Sequence, residues 1–195
     1  MSLAARLHRL HAEGHAREVE GLRDDNRFAP AEMRDAAVLA AITDGPRPAF
    51  LLIHRPTNMR SHPGQVAFPG GKVDPGETPV EAALREAYEE MGIHERDVTV
   101  IGTSDVYRTG TGYAITPVLA VVPPDIQINP SPTEVAAWFE APVEFVFDSA
   151  NHTHPGVSYL GQERRYIEIM WQQHRIWGVT AAIINNLSRR IDWHG

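Results

Sequence analysis

The chain has 195 residues, 43% of them hydrophobic, with a formal net charge of −7 and no cysteine. Its length predicts a single domain, 1–195, with room for a real core. The acidic balance argues against a nucleic-acid partner, which needs a basic face, and the lack of cysteine excludes disulfides, thiolate nucleophiles and thiolate metal sites.

In chain order, Leu3, Leu7 and Leu10 recur at helical spacing, so Ser2 to about Arg23 is expected to form one or two helices within an N-terminal helical extension, 1–30. This segment mixes charges and has no signal-peptide core. No apolar run is long enough for a membrane span, and the closing IDWHG is no peroxisomal address. No membrane partner and a cytoplasmic location are the expectation. Phe28 to Pro30 reads as a connector into a core at 36–190. Ala36 to Ile42 and Ala49 to His54 read as paired strands around the turn Asp44-Gly45-Pro46. Arg55 to Gln65 is a polar loop, followed by a short strand at Val66 to Phe68 and the sharp approach Pro69-Gly70-Gly71.

Thr78-Pro79-Val80-Glu81 has the form of a capping box with Pro at the first helical position. Nothing breaks a helix from Pro79 to Met91, and Gly92 is placed to end it. With Glu86 at the zero of the wheel, Glu90 falls at about +40° and Glu89 at about −60°, so three carboxylates share one face. Val80, Leu84, Ala87, Tyr88 and Met91 form a separate stripe for the core, while Ala82 and Ala83 flank the carboxylates and leave room for a ligand. Like charges this close repel by about 0.2–0.5 kcal/mol per pair. The Glu81–Arg85 pair relieves one end only. A hard divalent cation, Mg2+ or Mn2+, would take these oxygens and keep positions open for an anionic substrate. Crowding also raises carboxylate pKa values, so one unliganded Glu could act as a base near neutral pH.

Beyond this helix, Val98 to Val106 and Ala114 to Val122 read as strands around a Gly-rich loop, Arg108 to Tyr113. The loop lacks the Lys-Ser/Thr ending of a phosphate-binding P-loop. Pro123 to Pro132 is a connection, Glu134 to Phe139 an extended segment and Val143 to Phe147 a short helix. Arg164 to Trp171 reads as a strand and Val179 to Arg190 as a closing helix. Trp177 is expected to pack in the core, with a pocket wall as the other reading. The order predicts an α/β fold, an α/β/α sandwich around a mixed sheet.

The segment from Gly71 to Ile93 resembles the Nudix box position by position. Gly71, Glu77, Arg85, Glu86, Glu89, Glu90, Gly92 and Ile93 fill its defining places, and Ala87 stands where a larger aliphatic residue is usual. Upstream, Leu51-Leu52-Ile53-His54-Arg55, Arg60 and Gly64-Gln65-Val66-Ala67-Phe68-Pro69-Gly70-Gly71 resemble the signature of coenzyme A diphosphatases within the Nudix hydrolases. Ile53 and Pro56 depart from the usual residues.

The resemblance implies the Nudix fold and metal-dependent hydrolysis of the diphosphate of coenzyme A or its thioesters. It implies 3′,5′-ADP and (acyl-)4′-phosphopantetheine as products. Glu86 and Glu90 become the expected metal ligands, and Glu89 a third ligand or the group that activates water. Glu77 would act through a metal-bound water or by orienting Arg85. Arg55, Arg60, Gln65, Gly70 and Gly71 are the expected substrate-binding set; Arg55 and Arg60 offer planar forks suited to phosphate. His54 and His62 are expected to be structural or solvated. A small-molecule partner follows, and a homodimer by family analogy. The alternatives are a Nudix hydrolase of another nucleoside diphosphate derivative, such as ADP-ribose or NADH, and a non-catalytic nucleotide-binding module.

Overall fold

A computed structural model describes residues 1–57, 64–159 and 162–194. Strand β1 (Arg34–Thr43) is its spine and pairs in parallel along its whole length with β7 (Tyr113–Val122). Residues on β1 alternate between two cores: Ala40 and Ile42 on one face, Ala37, Leu39 and Ala41 on the other. β7 and β2 (Ala49–His54) alternate in the same way. Burial on both faces explains why these segments read as nearly unbroken apolar runs. Around the spine, β2 pairs antiparallel with the short β3 (Val66–Ala67) and with β8 (Ala137–Pro142). β5 (Thr99–Thr103) and β6 (Tyr107–Arg108) both pair antiparallel with β7. The sheet is therefore mixed, and the strands fall where they were expected at β1, β2, β3 and β7.

One core holds α1 (Leu3–His15), α3 (Val143–Phe147) and α4 (Gly178–Arg190), and the other holds α2 (Pro79–Met91). This is the α/β/α sandwich. The capping box on α2 is present: the Thr78 hydroxyl accepts from the Glu81 amide at 3.3 Å, and the Glu81 carboxylate accepts from the Thr78 amide at 2.7 Å. Gly92 closes the helix with φ +70°. Backbone amides of the Pro-rich connection take its last carbonyls, Ser131 to Glu90 at 2.9 Å and Asn129 to Met91 at 2.8 Å.

Several expectations shift. The N-terminal segment forms one helix, ending at His15, followed by an irregular stretch and a 3-10 turn at Asn26–Phe28. β8 starts at Ala137 rather than Glu134, because the Glu134 and Val135 amides turn back onto the Ser131 carbonyl. The expected strand Val98 to Val106 stops at Thr103. Arg164 to Trp171 divides into β11 (Gln162–Arg165) and β12 (Glu168–Trp171), where the Tyr166 amide and the Ile167 carbonyl leave their strands for other partners. Not foreseen are β4 (Gly70–Lys72), β10 (Gly156–Tyr159), which pairs with β11 in a two-stranded sheet, and β13 (His174–Trp177), which forms a small sheet with β12 and β9 (His152–Thr153). On α2, Tyr88 is 53% exposed against His94 rather than in the core stripe, while Ala82 and Ala83 are fully buried and give no space to a ligand. Their small side chains let the helix settle closely on β1. Among the described residues, no helix is long and apolar enough to cross a membrane.

Helix α1 crosses α4 with almost no clearance. A Cβ on Gly14 would lie 1.8 Å from the Arg190 carbonyl oxygen. Gly14→Ala is expected to cost about 1–3 kcal/mol of stability through overpacking. Local undocking of α1 from α4 would limit the loss. Denaturant titration checks the cost, and hydrogen exchange across α1 checks its location.

Candidate active site

β1 changes partner partway along its length, and the candidate site opens there. It pairs with β2 at Ile42 and Thr43 but with β4 at Ala36 to Val38. The Pro69 carbonyl accepts from the Leu39 amide at 2.8 Å, pinning the entry to β4 between the two. Gly70 fits because its Cβ would lie 2.3 Å from the Ala37 oxygen and 2.7 Å from the Val38 Cα. Gly71 fits because a Cβ there would lie 2.3 Å from a carboxylate oxygen of Glu86. The two glycines thus carry the backbone directly beneath the acidic face of α2.

A cleft of about 800 Å³ surrounds this junction. Glu86, Glu90, Arg55, Gln65, Gly70 and Gly71 all line it, so six of the expected site residues meet in one place. Glu90 is 5% exposed, and its carboxylate accepts from the Gly70 amide at 2.9 Å. Burial pushes its pKa up to about 7, against the opposing pull of the Gly70 amide, and the negative charge of Glu86 adds to the rise. The positive charge of Arg55 opposes it. The Nε of Arg55 is buried and has no hydrogen-bond partner among the described residues. A buried donor left unmade is expensive, and a buried carboxylate without a cation is expensive as well. Both deficits face the same cavity.

Arg85 stands behind the cleft rather than in it. It donates through Nε and Nη2 to the Glu77 carboxylate at 2.8 and 3.1 Å, through Nη1 to Glu86 at 2.8 Å and Glu89 at 3.3 Å, and through Nη2 to the Lys72 carbonyl at 3.0 Å. These bonds occupy the guanidinium on every side and hold its pKa above the usual range, through Glu77 first and then Glu86. The Glu77 carboxyl is held below its ordinary range, chiefly by Arg85 and also by the Asp74 amide. Glu77 thus stands in direct contact with Arg85. Arg85→Lys keeps one charge but loses the fork that holds Glu77, Glu86 and Glu89 together. It is expected to lower metal affinity or kcat/KM by about 10–100-fold, measured by metal titration and steady-state kinetics.

Glu89 shares the acidic face with Glu86, both accepting from Arg85 Nη1, but does not line the same cleft. Its side chain is 52% exposed, turned to Arg85, and lines a neighbouring cleft with Tyr88 and His94 instead of the one holding Glu86 and Glu90. Among the described residues, no three His, Asp or Glu side chains gather closely enough to hold a cation alone. Two carboxylates remain, Glu86 and Glu90. That donor set fits Mg2+, which takes one or two carboxylates and completes its shell with water and substrate phosphate oxygens. Arg60 and His62 lie outside the described residues. His54 pairs with His174 at 2.8 Å, in keeping with a structural role.

Several cleft residues were not foreseen. Glu134 lines the wall near Glu90 and helps raise its pKa. Arg34, Lys72, Thr109, Thr111 and Tyr113 form another stretch, and Trp177 is half-buried in the wall rather than in the core. No local pattern marks these positions, since they meet only through sheet register.

Comparison with known proteins accords with this geometry. The family model described as "NUDIX domain" matches residues 33–158. A relative from Photorhabdus laumondii named "Uncharacterized Nudix hydrolase NudL" is 41% identical over 159 residues, covering 81% of this chain and 85% of its own. The protein of that name from Escherichia fergusonii is 42% identical over 160 residues, covering 81% and 83%. Among solved structures, the Nudix hydrolase RenU from M. smegmatis superposes with a TM-score of 0.51 at 28% identity, covering 67% of this chain and 84% of that one. With the box residues gathered as described and more than half the chain matched, this protein belongs to the Nudix family and is a Nudix hydrolase of a diphosphate substrate.

Proposed function

We propose that the protein hydrolyses the diphosphate of coenzyme A or its thioesters with the help of Mg2+ or Mn2+. The observation that carries this reading is the convergence of two motifs on one cleft. Glu86 and Glu90 from the box line it beside Arg55, Gln65, Gly70 and Gly71 from the upstream segment. Glu86 and Glu90 would hold the cation, which when bound neutralises phosphate charge and lowers the pKa of a bound water. Arg55, whose Nε has no partner among the described residues, would supply a donor to a phosphate oxygen. Arg85, braced by Glu77, fixes the angle of Glu86. Glu89 would be a third ligand or the group that activates the water. In the overall reaction, water adds to one phosphorus, the bridging P–O bond breaks, and the two phosphates depart as 3′,5′-ADP and (acyl-)4′-phosphopantetheine.

The test is a substrate panel of coenzyme A, acetyl-coenzyme A, ADP-ribose and NADH with each metal, the products identified by mass. Cleavage of coenzyme A or its thioester to these two products, at a kcat/KM above that for ADP-ribose and NADH, is expected. Preferential cleavage of ADP-ribose or NADH would overturn the assignment of substrate, and metal-dependent binding without any cleavage would overturn the assignment of turnover.

A further inference from the structure

The Gly-rich loop between β6 and β7 has no part in the chemistry above, yet it is built with care and faces the cleft. Its Thr109 amide donates to the Tyr113 carbonyl at 2.8 Å, and the Thr109 hydroxyl accepts from the Tyr113 amide at 2.9 Å. The Gly112 carbonyl accepts from the Arg34 amide at 2.9 Å, tying the loop to the start of β1. Tyr113 and Arg34 are register partners, and the Arg34 guanidinium lies 4.3 Å from the centre of the Tyr113 ring. Two residues along β1, Ala36 has Lys72 of β4 as its partner, and Arg85 holds the Lys72 carbonyl at 3.0 Å. Arg34, Lys72, Thr111 and Tyr113 line the same cleft as Glu86 and Glu90.

Both cations are without a carboxylate partner among the described residues, although the chain as a whole is acidic with a net charge of −7. They also stand apart from the metal end. Gly70, which bonds Glu90, is the partner of Val38, four residues along β1 from Arg34, or about 13 Å at strand rise. Lys72 lies between, about 7 Å from Gly70.

We infer that Arg34 and Lys72, with the Gly-rich loop behind them, form a second anion subsite that takes a phosphomonoester of the substrate remote from the bond that breaks. Tyr113 holds the Arg34 fork in place, leaving its donors for phosphate oxygens. Lys72 adds a point charge whose backbone position is set by the same arginine that braces the box carboxylates. Substrates carrying such a phosphate are thereby selected over those without it. The inference rests on the cleft being the diphosphate hydrolase site, and it assigns to particular side chains a selectivity that the box lacks.

The test compares equilibrium binding of adenosine 3′,5′-bisphosphate and of AMP to the full chain by calorimetry, in Mg2+. The wild type is expected to prefer the bisphosphate at least tenfold. Arg34→Met and Lys72→Met are each expected to bring that ratio to within about threefold of unity. Lys72 is exposed and its side chain has no packing role, so its variant remains informative if Arg34→Met disturbs the loop. No preference in the wild type, or a preference kept by both variants, overturns the subsite. Failure to cleave coenzyme A would instead contradict the proposed substrate and leave this binding ratio standing.

Discussion

Glu90→Gln is expected to lower turnover on the order of 10³-fold while making the metal-free protein more stable at pH 8. The loss follows from removing half of the Glu86–Glu90 donor pair, since metal stabilisation of phosphate charge is worth several kcal/mol and each 1.36 kcal/mol is tenfold. The gain in stability follows from burial. The pKa of Glu90 is about 7 in the folded chain, against an ordinary value of 4.5. Below about pH 4.5 the group is protonated in both folded and unfolded chains and carries no penalty. As pH rises toward 7 the unfolded chain gives up the proton first, so the fold loses stability across that window and levels off above it. The full penalty is about 3 kcal/mol. Gln keeps the size and the acceptor for the Gly70 amide without the charge. Melting curves of metal-free protein should converge near pH 4.5 and separate near pH 8, with the variant above the wild type. Added Mn2+ should raise the wild type by mass action and leave the variant unmoved. A residue that weakens the apo fold and is rescued by metal is doing its work in the site.

Gly70→Ala is expected to damage fold and site together. Its Cβ would meet the Ala37 carbonyl oxygen at 2.3 Å and the Val38 Cα at 2.7 Å, both backbone atoms of the central strand. Neither can move aside without disturbing the parallel pairing of β1 with β7. The alternative is for β4 to lift from β1, which also breaks the bond from the Gly70 amide to Glu90. We expect a loss of about 3 kcal/mol or more and a fall in activity that persists at temperatures where the variant is folded. Denaturant titration gives the first, and kinetics at low temperature give the second. Gly71→Ala makes an instructive contrast. Its clash is with the carboxylate of Glu86, a side chain that can swing. Stability should suffer less there and metal affinity more.

Local signals exposed much of this design in advance. The capping box and first-turn Pro mark the start of α2 and Gly92 marks its end, so both of its ends could be read directly. Strands buried on both faces, such as Leu51 to Ile53, announce themselves by apolar runs. The upstream segment ends on Gly71, where the box begins, which already joined the two motifs on one turn. Other features depend on partners far away in sequence. Tyr88 lies on the apolar side of the wheel, yet its ring turns out against His94 because the helix packs through Ala82, Ala83 and Ala87. Glu89 falls within the acidic arc and shares Arg85 Nη1 with Glu86, yet its exposed side chain lines the neighbouring cleft, and a wheel gives an angle without a side-chain direction. Arg34 and Lys72 sit 38 positions apart and line one cleft only because β4 pairs with β1 at Ala36, two residues from Arg34. β10 is only four residues long and β11, Gln162–Arg165, is wholly polar, so neither gives the sustained alternation by which strands are recognised.

The central claim is that Glu86 and Glu90 form a metal-dependent diphosphate-cleaving centre. The direct test is the initial rate of coenzyme A cleavage as Mn2+ is titrated into metal-free protein at pH 8, with the wild type and Glu90→Gln side by side. A wild-type rate that climbs from background to saturation, beside a variant that stays near background across the titration, is the expected result. Metal-independent cleavage by the wild type, or near-normal turnover by the variant, would contradict it.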